Sequence, residues 1–274
     1  MAVWPVVNIE RFVLGRPGPS LQPHLAAGYD IANYGWREYA NRAGLWRVLE
    51  AFAELGVPAT AAMNAELCRL RPDIAAAVRD SGWELLGHGW ENSTPHSDMP
   101  PDVEREVITR SLSVLADSIG RPARGWLTPG FAVSESTFAL LAELGVGYTA
   151  DWCDDDRPYW WETGRGLLLS IPYSLETNDI SLFLGLHYTP SQYADAIVEH
   201  VSQLCVEARQ NAVVAIGLHP FLVGQPGRIS ALRSCLERLA AIPQAWLASG
   251  GEIADRVMAH GRQDPSLSAT APSS

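Results

Sequence analysis

The stretch LWRVLEAFAELGVPATAAMN, residues 45–64, contains one complete unit of the fold. Its first twelve residues repeat apolar side chains with a period near 3.6, which predicts an amphipathic helix that begins at Leu45 and stops at Gly56. The apolar run 59–63 then predicts a buried strand, and the polar Asn64 follows at its end. A helix that leads into a buried strand is the repeating unit of parallel α/β folds.

The same alternation continues along the chain. Further strands are predicted at 3–9, 83–86, 125–127, 146–150, 167–171, 212–218 and 245–248, and further helices begin at Pro101, Ser134, Ser191 and Arg228. Ser134 is expected to cap its helix. Seven or eight βα units in about 260 residues predict a distorted (β/α) barrel, a single domain over residues 1–260. A doubly wound open sheet is the alternative, although no G-x-G-x-x-G follows the first strand. Residues 261–274 are predicted to be a disordered tail.

The composition excludes several classes of function. Of 274 residues, 20 are basic and 31 acidic, so the net charge is −11, which argues against nucleic acid and anionic membranes as partners. All of the basic residues are arginine, which excludes a Schiff-base lysine, a P-loop lysine and a dinuclear site bridged by carboxylated lysine. The four scattered cysteines are interpreted as free thiols.

No apolar run reaches the roughly 18 residues of a membrane span, and the N-terminus lacks a signal-peptide pattern. We therefore predict a cytoplasmic protein with a small-molecule substrate. Because the predicted barrel is acidic and its helices have apolar faces, a homo-oligomer is one possible state of the protein.

Polar residues follow the predicted strands, and in a parallel barrel the carboxyl ends of the strands meet at one rim. Glu10 follows the first strand, His88 stands in GHGWEN (87–92), and His219 stands in IGLHPF (216–221). A carboxylate beside two histidines suits general acid–base chemistry near neutral pH. We predict these three as the catalytic residues, while a lone histidine or carboxylate at a strand end can also be structural.

A second group is predicted to contact the substrate. The loop DWCDDDRPYWW (151–161) combines aspartates with aromatic residues that would be costly to expose, so it can form a pocket wall or a lid. Arg37 can clamp a carboxylate or orient Asp151, and a surface salt bridge is its structural alternative. The predicted substrate-binding residues are Arg37, Trp126, Asp151, Asp156, Tyr159, Glu176 and Asn178.

The order of these pieces resembles the polysaccharide deacetylase superfamily over nearly all of residues 3–260. The pieces that carry the resemblance are NIE (8–10), NRAGLWRVLEAF (41–52), PDIAAAVRDSGWELLGHGW (72–90), RGWLTPGF (124–131), LLAELGVGYTADWCDDDRPY (140–159), LLSIPYSLETND (168–179) and IGLHPFLVGQPGR (216–228). The YG ahead of the first long helix and the DDRPY loop resemble the branch with metal-independent allantoinase, cyclic-imide hydrolases and peptidoglycan deacetylase-like proteins.

The resemblance implies a distorted (β/α) barrel and a site built on particular positions. In the deacetylases an H-x-x-x-H pair supplies two metal ligands, but here Asn92 replaces the second histidine. His219 matches the family's general acid. If a metal binds, its ligands would be Glu10, His88 and Asn92, and His96 could complete this incomplete set. The expectation is therefore either no required cofactor or a weakly held divalent metal such as zinc.

The sequence thus predicts a hydrolase of non-peptide C–N bonds in small cyclic amides, imides or ureides. Glu10 would activate water directly or through His88, His219 would protonate the leaving nitrogen, and backbone N–H groups in the turn 128–130 would stabilise the oxyanion. One alternative is a metal-dependent N-deacetylase of an N-acetylated sugar or glycan. Another is a barrel that binds a small molecule without catalysis.

Overall fold

The strands lie in one curled sheet. The structure, a computed structural model, describes residues 1–21, 29–207, 211–261 and 268–270. The strands are β1 (Ala2–Ile9), β2 (Thr60–Met63), β3 (Glu84–Gly87), β4 (Gly125–Trp126), β5 (Tyr148–Thr149), β6 (Tyr159–Glu162), β7 (Leu167–Ser170), β8 (Val213–Leu218), β9 (Trp246–Leu247) and β10 (Ser268–Thr270). The helices are α1 (Ile31–Tyr39), α2 (Leu45–Leu55), α3 (Ala65–Leu70), α4 (Pro72–Asp80), α5 (Pro101–Ile119), α6 (Thr137–Glu143), α7 (Pro190–Val206), α8 (Ile229–Ala240) and α9 (Gly250–Gly261).

The strand order is β10-β6-β7-β5-β4-β3-β2-β1-β8, and β9 also pairs with β1. All of these pairings are parallel except β6 with β7, which is antiparallel. The segment after β7 reaches back to β8, where Asn178 forms a parallel bridge with Gly217. The sheet therefore curls into a distorted (β/α) barrel, as the sequence predicts.

Strand β1 has both faces buried. Val3 and Val7 pack outward into the core beneath the helices, while Trp4 and Val6 pack into the barrel interior. Because successive side chains of a strand point to opposite faces, Asn8 is directed to the same interior side as Trp4 and Val6. This alternation brings polar groups to the carboxyl end of the barrel interior.

The predicted strands are all present, with ends that differ by one or two residues. The last part of the loop 151–161, predicted as a pocket wall or a lid, instead forms strand β6 (Tyr159–Glu162), which lies between β10 and β7. Strand β6 has only four residues, and Trp161 is the one that is buried. It therefore does not show the longer apolar run that is typical of a buried strand. The capping prediction for Ser134 is wrong, because α6 begins at Thr137 and Ser134 Oγ accepts the N–H of Ser136.

The predicted tail, residues 261–274, lies largely outside the described residues. Within it, Gly261 ends α9 and Ser268–Thr270 pairs with β6. Among the described residues, no helix combines the length and the apolar character needed to cross a membrane.

Candidate active site

A cavity of about 430 Å³ opens at the carboxyl end of the barrel. The end of β1, the loops after β3 and β4, and the segments after β7 and β8 all contribute to its wall. Its polar lining includes Asn8, Glu10, His88, Asn92, Asn178 and His219. The three residues predicted as catalytic therefore share one cavity.

Glu10 is the common neighbour of the other polar groups. It is buried, and its Oε1 atom accepts a hydrogen bond from Asn92 Nδ2 at 2.9 Å. The same oxygen lies 3.4 Å from His88 Nε2 and 3.8 Å from His219 Nε2. Oε2 has no hydrogen-bond partner among the described residues. Glu10 thus keeps acceptor capacity for a water molecule or a substrate N–H group.

His88 has its tautomer set by the backbone. Its Nδ1 atom lies 2.6 Å from the carbonyl oxygen of Leu127, and since a carbonyl can only accept, Nδ1 carries the proton. The other ring nitrogen, Nε2, is then directed at the Glu10 carboxylate. A water molecule or a substrate N–H group placed here can donate to both acceptors.

His219 is held by a carboxylate that sequence reasoning did not identify. Asp179 accepts both the backbone N–H of His219 and its Nδ1–H, each at 2.6 Å. Asp179 is fully buried. This pair fixes the ring so that Nε2 points to Glu10. The only sequence signal was the position of Asp179 directly after Asn178 in LETND, and nothing there indicates which histidine it would meet.

The local charges shift the pKa values of this set in opposite directions. For Glu10, burial raises the pKa, but His219, His88 and the Asn92 hydrogen bond outweigh it, so the pKa falls below 4.5. For His219, burial lowers the pKa, but the negative charges of Asp179 and Glu10 outweigh it, so the pKa rises above 6.5. The arrangement therefore favours an ionised Glu10 facing a protonated His219.

A divalent metal does not fit these residues well. Among the described residues, no three His, Cys, Asp or Glu side chains are grouped so that they could hold an ion. Asn92 presents its N–H donor to Glu10, at an oxygen that a cation would otherwise occupy. His96, predicted as a substitute ligand, is buried and pairs with Glu104 through Nδ1 at 3.3 Å. His96 does not line the cavity with Glu10 and His88, so its part in a ligand set stays a prediction.

The turn at residues 128–130 lines the cavity but offers fewer donors than predicted. The Thr128 N–H is donated to Asp151 at 2.6 Å, and Pro129 has no N–H. Only the N–H of Gly130 is left within the predicted turn.

Asn178 is the one predicted substrate-binding residue that lines this cavity. Arg37 is buried behind the cavity wall, where Nη1 donates to the carbonyl of Pro19 and the guanidinium lies 4.9 Å from the centre of the Phe12 ring. Asp151 also lies behind the wall, because its carboxylate accepts from Thr128 and Thr149. The structure therefore does not place Arg37 or Asp151 in the cavity lining, and Arg37 Nε has no hydrogen-bond partner among the described residues.

The remaining predicted contacts also lie elsewhere. Trp126 is fully buried in a core cluster, and its indole N–H donates to Thr128 Oγ1. Tyr159 donates its hydroxyl to Asp154 on the outer loop. Asp156 and the exposed Glu176 line a separate surface depression. Sequence reasoning placed them by their distance from strand ends, and it missed the apolar wall, which includes Phe12, Phe131, Leu175 and Ile180.

The chain is similar to known proteins in both sequence and fold. Residues 25–149 match the family model described as polysaccharide deacetylase. A protein of Schizosaccharomyces pombe assigned as a polysaccharide deacetylase is 27% identical over 239 residues, which cover 79% of this chain and 73% of that protein.

Two solved structures are similar over almost the whole chain. A protein of Pseudomonas aeruginosa assigned as a polysaccharide deacetylase superposes with a TM-score of 0.86 at 27% identity, and the match covers 96% of this chain and 92% of that one. The PuuE allantoinase superposes with a TM-score of 0.85 at 28% identity, with the same coverage of 96% and 92%.

Proposed function

We propose that this chain, which belongs to the polysaccharide deacetylase superfamily and is a hydrolase of carbon–nitrogen bonds other than peptide bonds, acts on small cyclic amides, imides or ureides. The observation that carries the proposal is the Asn92 amide on Glu10 Oε1. This hydrogen bond supports an ionised Glu10 without a cation, and it leaves a carboxylate and two histidines as an acid–base set around one cavity.

The proposed reaction begins with water. Glu10 accepts a proton from a water molecule as the water oxygen attacks the amide carbon, and His88 adjoins the same carboxylate oxygen. His219, kept protonated and oriented by Asp179, then gives its Nε2 proton to the departing nitrogen. The ring C–N bond breaks, and the single ring-opened product carries a carboxylic acid group and an amine, amide or ureide nitrogen. Acid–base groups placed in this way contribute about 10²- to 10⁴-fold each.

A small ring is favoured over a glycan by the shape of the site. The cavity of about 430 Å³ is lined by loop residues on several sides, including Pro19, Pro95 and Phe131. Small-molecule sites are concave and apolar with few polar groups, and this lining fits that description. The similarity to an allantoinase supports a ureide or related ring as the substrate class.

Deacetylation of an N-acetylated sugar is the second candidate, because two of the similar proteins are assigned as polysaccharide deacetylases. Its chemistry also cleaves an amide, but in the family it is associated with a bound metal. The incomplete donor set around Glu10 counts against it here.

The test is a substrate panel with matched variants. Purified protein is assayed for ring opening of allantoin, hydantoin, dihydropyrimidine and succinimide, and for deacetylation of N-acetylglucosamine oligomers with and without added zinc. We expect ring opening of at least one cyclic substrate, and a loss of about 10²-fold or more in Glu10→Gln and His219→Ala. Turnover of the sugar alone, or undiminished turnover in both variants, would overturn the proposal.

The remaining predictions about the protein stay proposals. We propose a single catalytic domain over residues 1–260, a cytoplasmic location and a small-molecule amide as the substrate, with no cofactor required or a weakly held divalent metal. Gel filtration at several protein concentrations tests whether the chain forms a homo-oligomer.

A further inference from the structure

We infer that the hydroxyl of Tyr173 donates a hydrogen bond to the carbonyl oxygen of the substrate and to the oxyanion that this oxygen becomes. The inference rests on the proposed function and names a further catalytic residue for it. Tyr173 follows β7, is fully buried and lines the cavity with Glu10 and His219.

Two side-chain amides both donate to the hydroxyl oxygen of Tyr173. Asn8 Nδ2 donates to the Tyr173 hydroxyl oxygen at 2.9 Å. The same Nδ2 group also lies 3.4 Å from the carbonyl oxygen of Leu218. Because a carbonyl can only accept, this backbone contact fixes which end of the Asn8 amide faces Tyr173.

Asn178 is fixed in the same manner from the opposite side. Its Oδ1 atom accepts the backbone N–H of Ile180 at 2.9 Å, and a backbone N–H can only donate. Nδ2 of Asn178 is therefore the atom that faces the Tyr173 hydroxyl, at 3.5 Å. Neither amide can be rotated to accept from Tyr173 without losing its backbone partner.

The phenol oxygen thus receives two donors, which leaves its own O–H to act as a donor. Among the described residues, no acceptor is bonded to that O–H. Burial raises the pKa of Tyr173 far above its usual value, and nearby Asp179 and Glu10 raise it further, so the hydroxyl keeps its proton at any working pH. A fixed, protonated donor in a buried cavity is what a developing oxyanion requires.

The Tyr173 hydroxyl supplies an oxyanion donor that the turn at residues 128–130 was predicted to supply. Thr128 and Pro129 offer no free N–H there, so Gly130 is the only remaining backbone donor in that turn. Water attack moves an electron pair onto the carbonyl oxygen, and the Tyr173 O–H stabilises the resulting charge without giving up its proton. When the C–N bond breaks, the electron pair on the oxyanion re-forms the C=O bond. The nitrogen leaves with the C–N bonding pair and takes a proton from His219.

The test compares Tyr173→Phe with Tyr148→Phe on the cyclic substrate that the wild type opens. Tyr148 is also fully buried and hydrogen-bonded, to Glu84, but it does not line the cavity. We expect kcat to fall by about 10²- to 10³-fold in Tyr173→Phe with little change in KM, because the donor acts most strongly in the transition state. Tyr148→Phe is expected to lower the melting temperature and leave kcat unchanged.

A double-mutant cycle separates the hydroxyl from packing effects. If Asn8 acts through the Tyr173 hydroxyl, Asn8→Ala lowers kcat in the wild type but has no further effect in Tyr173→Phe. Additive effects of the two substitutions, or a kcat in Tyr173→Phe within threefold of the wild type, would overturn the inference.

A spectroscopic measurement keeps the inference testable when turnover is absent. Infrared difference spectra are recorded for succinimide with a ¹³C-labelled carbonyl, bound to the Glu10→Gln protein with and without Tyr173→Phe. A hydrogen bond from Tyr173 lowers the carbonyl stretching frequency, and the added substitution should restore it. Absence of ring opening by the wild type alone counts against the proposed function, whereas an identical carbonyl frequency in both proteins counts against Tyr173.

Discussion

At the scale of single residues, the site depends on one histidine that lies between two carboxylates. Asp179 orients His219 from behind, and Glu10 faces it from the cavity. The first acts as a positioning residue, since its oxygens are engaged by His219 and it does not line the cavity. The second faces the substrate. Two similar side chains therefore have different tasks because of where they lie.

The first prediction concerns the alkaline limb of the pH–rate profile. Activity needs His219 protonated, so it is lost as pH rises through the pKa of His219, which Asp179 and Glu10 hold above 6.5. Asp179→Asn removes one of these negative charges, so the His219 pKa falls and the alkaline limb moves to lower pH. The acid limb reports Glu10, whose pKa lies below 4.5, and should move little.

The control is Asp255→Asn, which removes an exposed carboxylate that is paired with Arg124 and does not line the cavity. Profiles of kcat/KM from pH 4 to 10 should coincide for this variant and the wild type. An alkaline limb that stays in place in Asp179→Asn would show that His219 is not the general acid.

Sequence reasoning reached the residues that follow strands but not their partners. Glu10, His88 and His219 were predicted because each follows a buried strand, and the structure brings them together. Asp179 was missed because its role depends on which way a histidine ring turns. Arg37 and Trp126 do not line the cavity, because both side chains are buried against other protein groups, which spacing along the chain does not reveal.

At the scale of elements, barrel closure depends on a glycine in β8. A Cβ atom added to Gly217 would lie 2.5 Å from the Tyr173 hydroxyl oxygen and 2.6 Å from Asn178 Nδ2. The segment after β7 can approach β8 only because this position has no side chain. The same close approach holds two lining residues of the cavity in place.

The second prediction is that Gly217→Ala damages both stability and turnover. Overpacking at this contact should cost about 1–3 kcal/mol of the free energy of unfolding and displace Tyr173, so kcat falls as well. Gly35→Ala is the matched control. Gly35 lies in helix α1, and a Cβ atom added there meets nothing within 4 Å. That substitution should raise stability by up to about 1 kcal/mol. Thermal unfolding measures the stability of each variant, and steady-state kinetics measure its kcat. If Gly217→Ala is as stable and as active as Gly35→Ala, the close approach at Gly217 does not have this role.

Helix α5 connects two loops of the site through hydrogen bonds to Glu104. This fully buried carboxylate accepts from Thr137 Oγ1 at 2.6 Å, from Ser134 Oγ and from His96 Nδ1 at 3.3 Å. His96 directly follows Pro95, which lines the cavity, and Ser134 follows the lining residue Ala132 by two positions. Glu104 therefore connects the loop after β3 with the loop after β4.

The third prediction is that Glu104→Ala loosens this side of the cavity. Removing one member of a buried polar cluster leaves its partners unsatisfied, which should cost about 3 kcal/mol in the free energy of unfolding. The loops then close less well over the substrate, so KM should rise more than kcat falls. Glu106→Ala, on the exposed face of the same helix, should stay within about 0.5 kcal/mol of the wild type. Urea unfolding measures the stability of both variants. Equal effects of the two substitutions would contradict the role of Glu104 in connecting the two loops.

At the scale of the whole molecule, the barrel could be predicted because its repeating signal is strong. Buried parallel strands have continuous apolar runs, and the helices between them keep a clear period. Strands β6 and β10 were missed because they are only four and three residues long, which is too short to show a strand pattern in the sequence. The close approach of Asn178 to Gly217 could not be predicted either, since it joins parts of the chain 39 positions apart, each with an unremarkable local sequence.

The net charge of −11 complicates any measurement of metal content, because an acidic surface holds divalent cations loosely. Salt screens the attraction between such ions and the surface, so it displaces them. It does not displace ions that several protein donors bind. Metal content therefore has to be measured after dialysis against chelator and salt.

The last prediction is that the wild type retains its activity after this dialysis, while Asn92→His gains a metal. In the wild type, the Asn92 N–H and two imidazoles surround the Glu10 carboxylate, so an added cation would displace a hydrogen bond. The substituted imidazole would stand four positions after His88 and beside Glu10, which makes three ligands of the kinds that zinc prefers. We expect about one zinc per chain in Asn92→His and well below that in Asn92→Ala, the control, as measured by mass spectrometry of the metal. Stoichiometric zinc in the dialysed wild type, with activity that disappears on its removal, would instead assign Asn92 to a metal site.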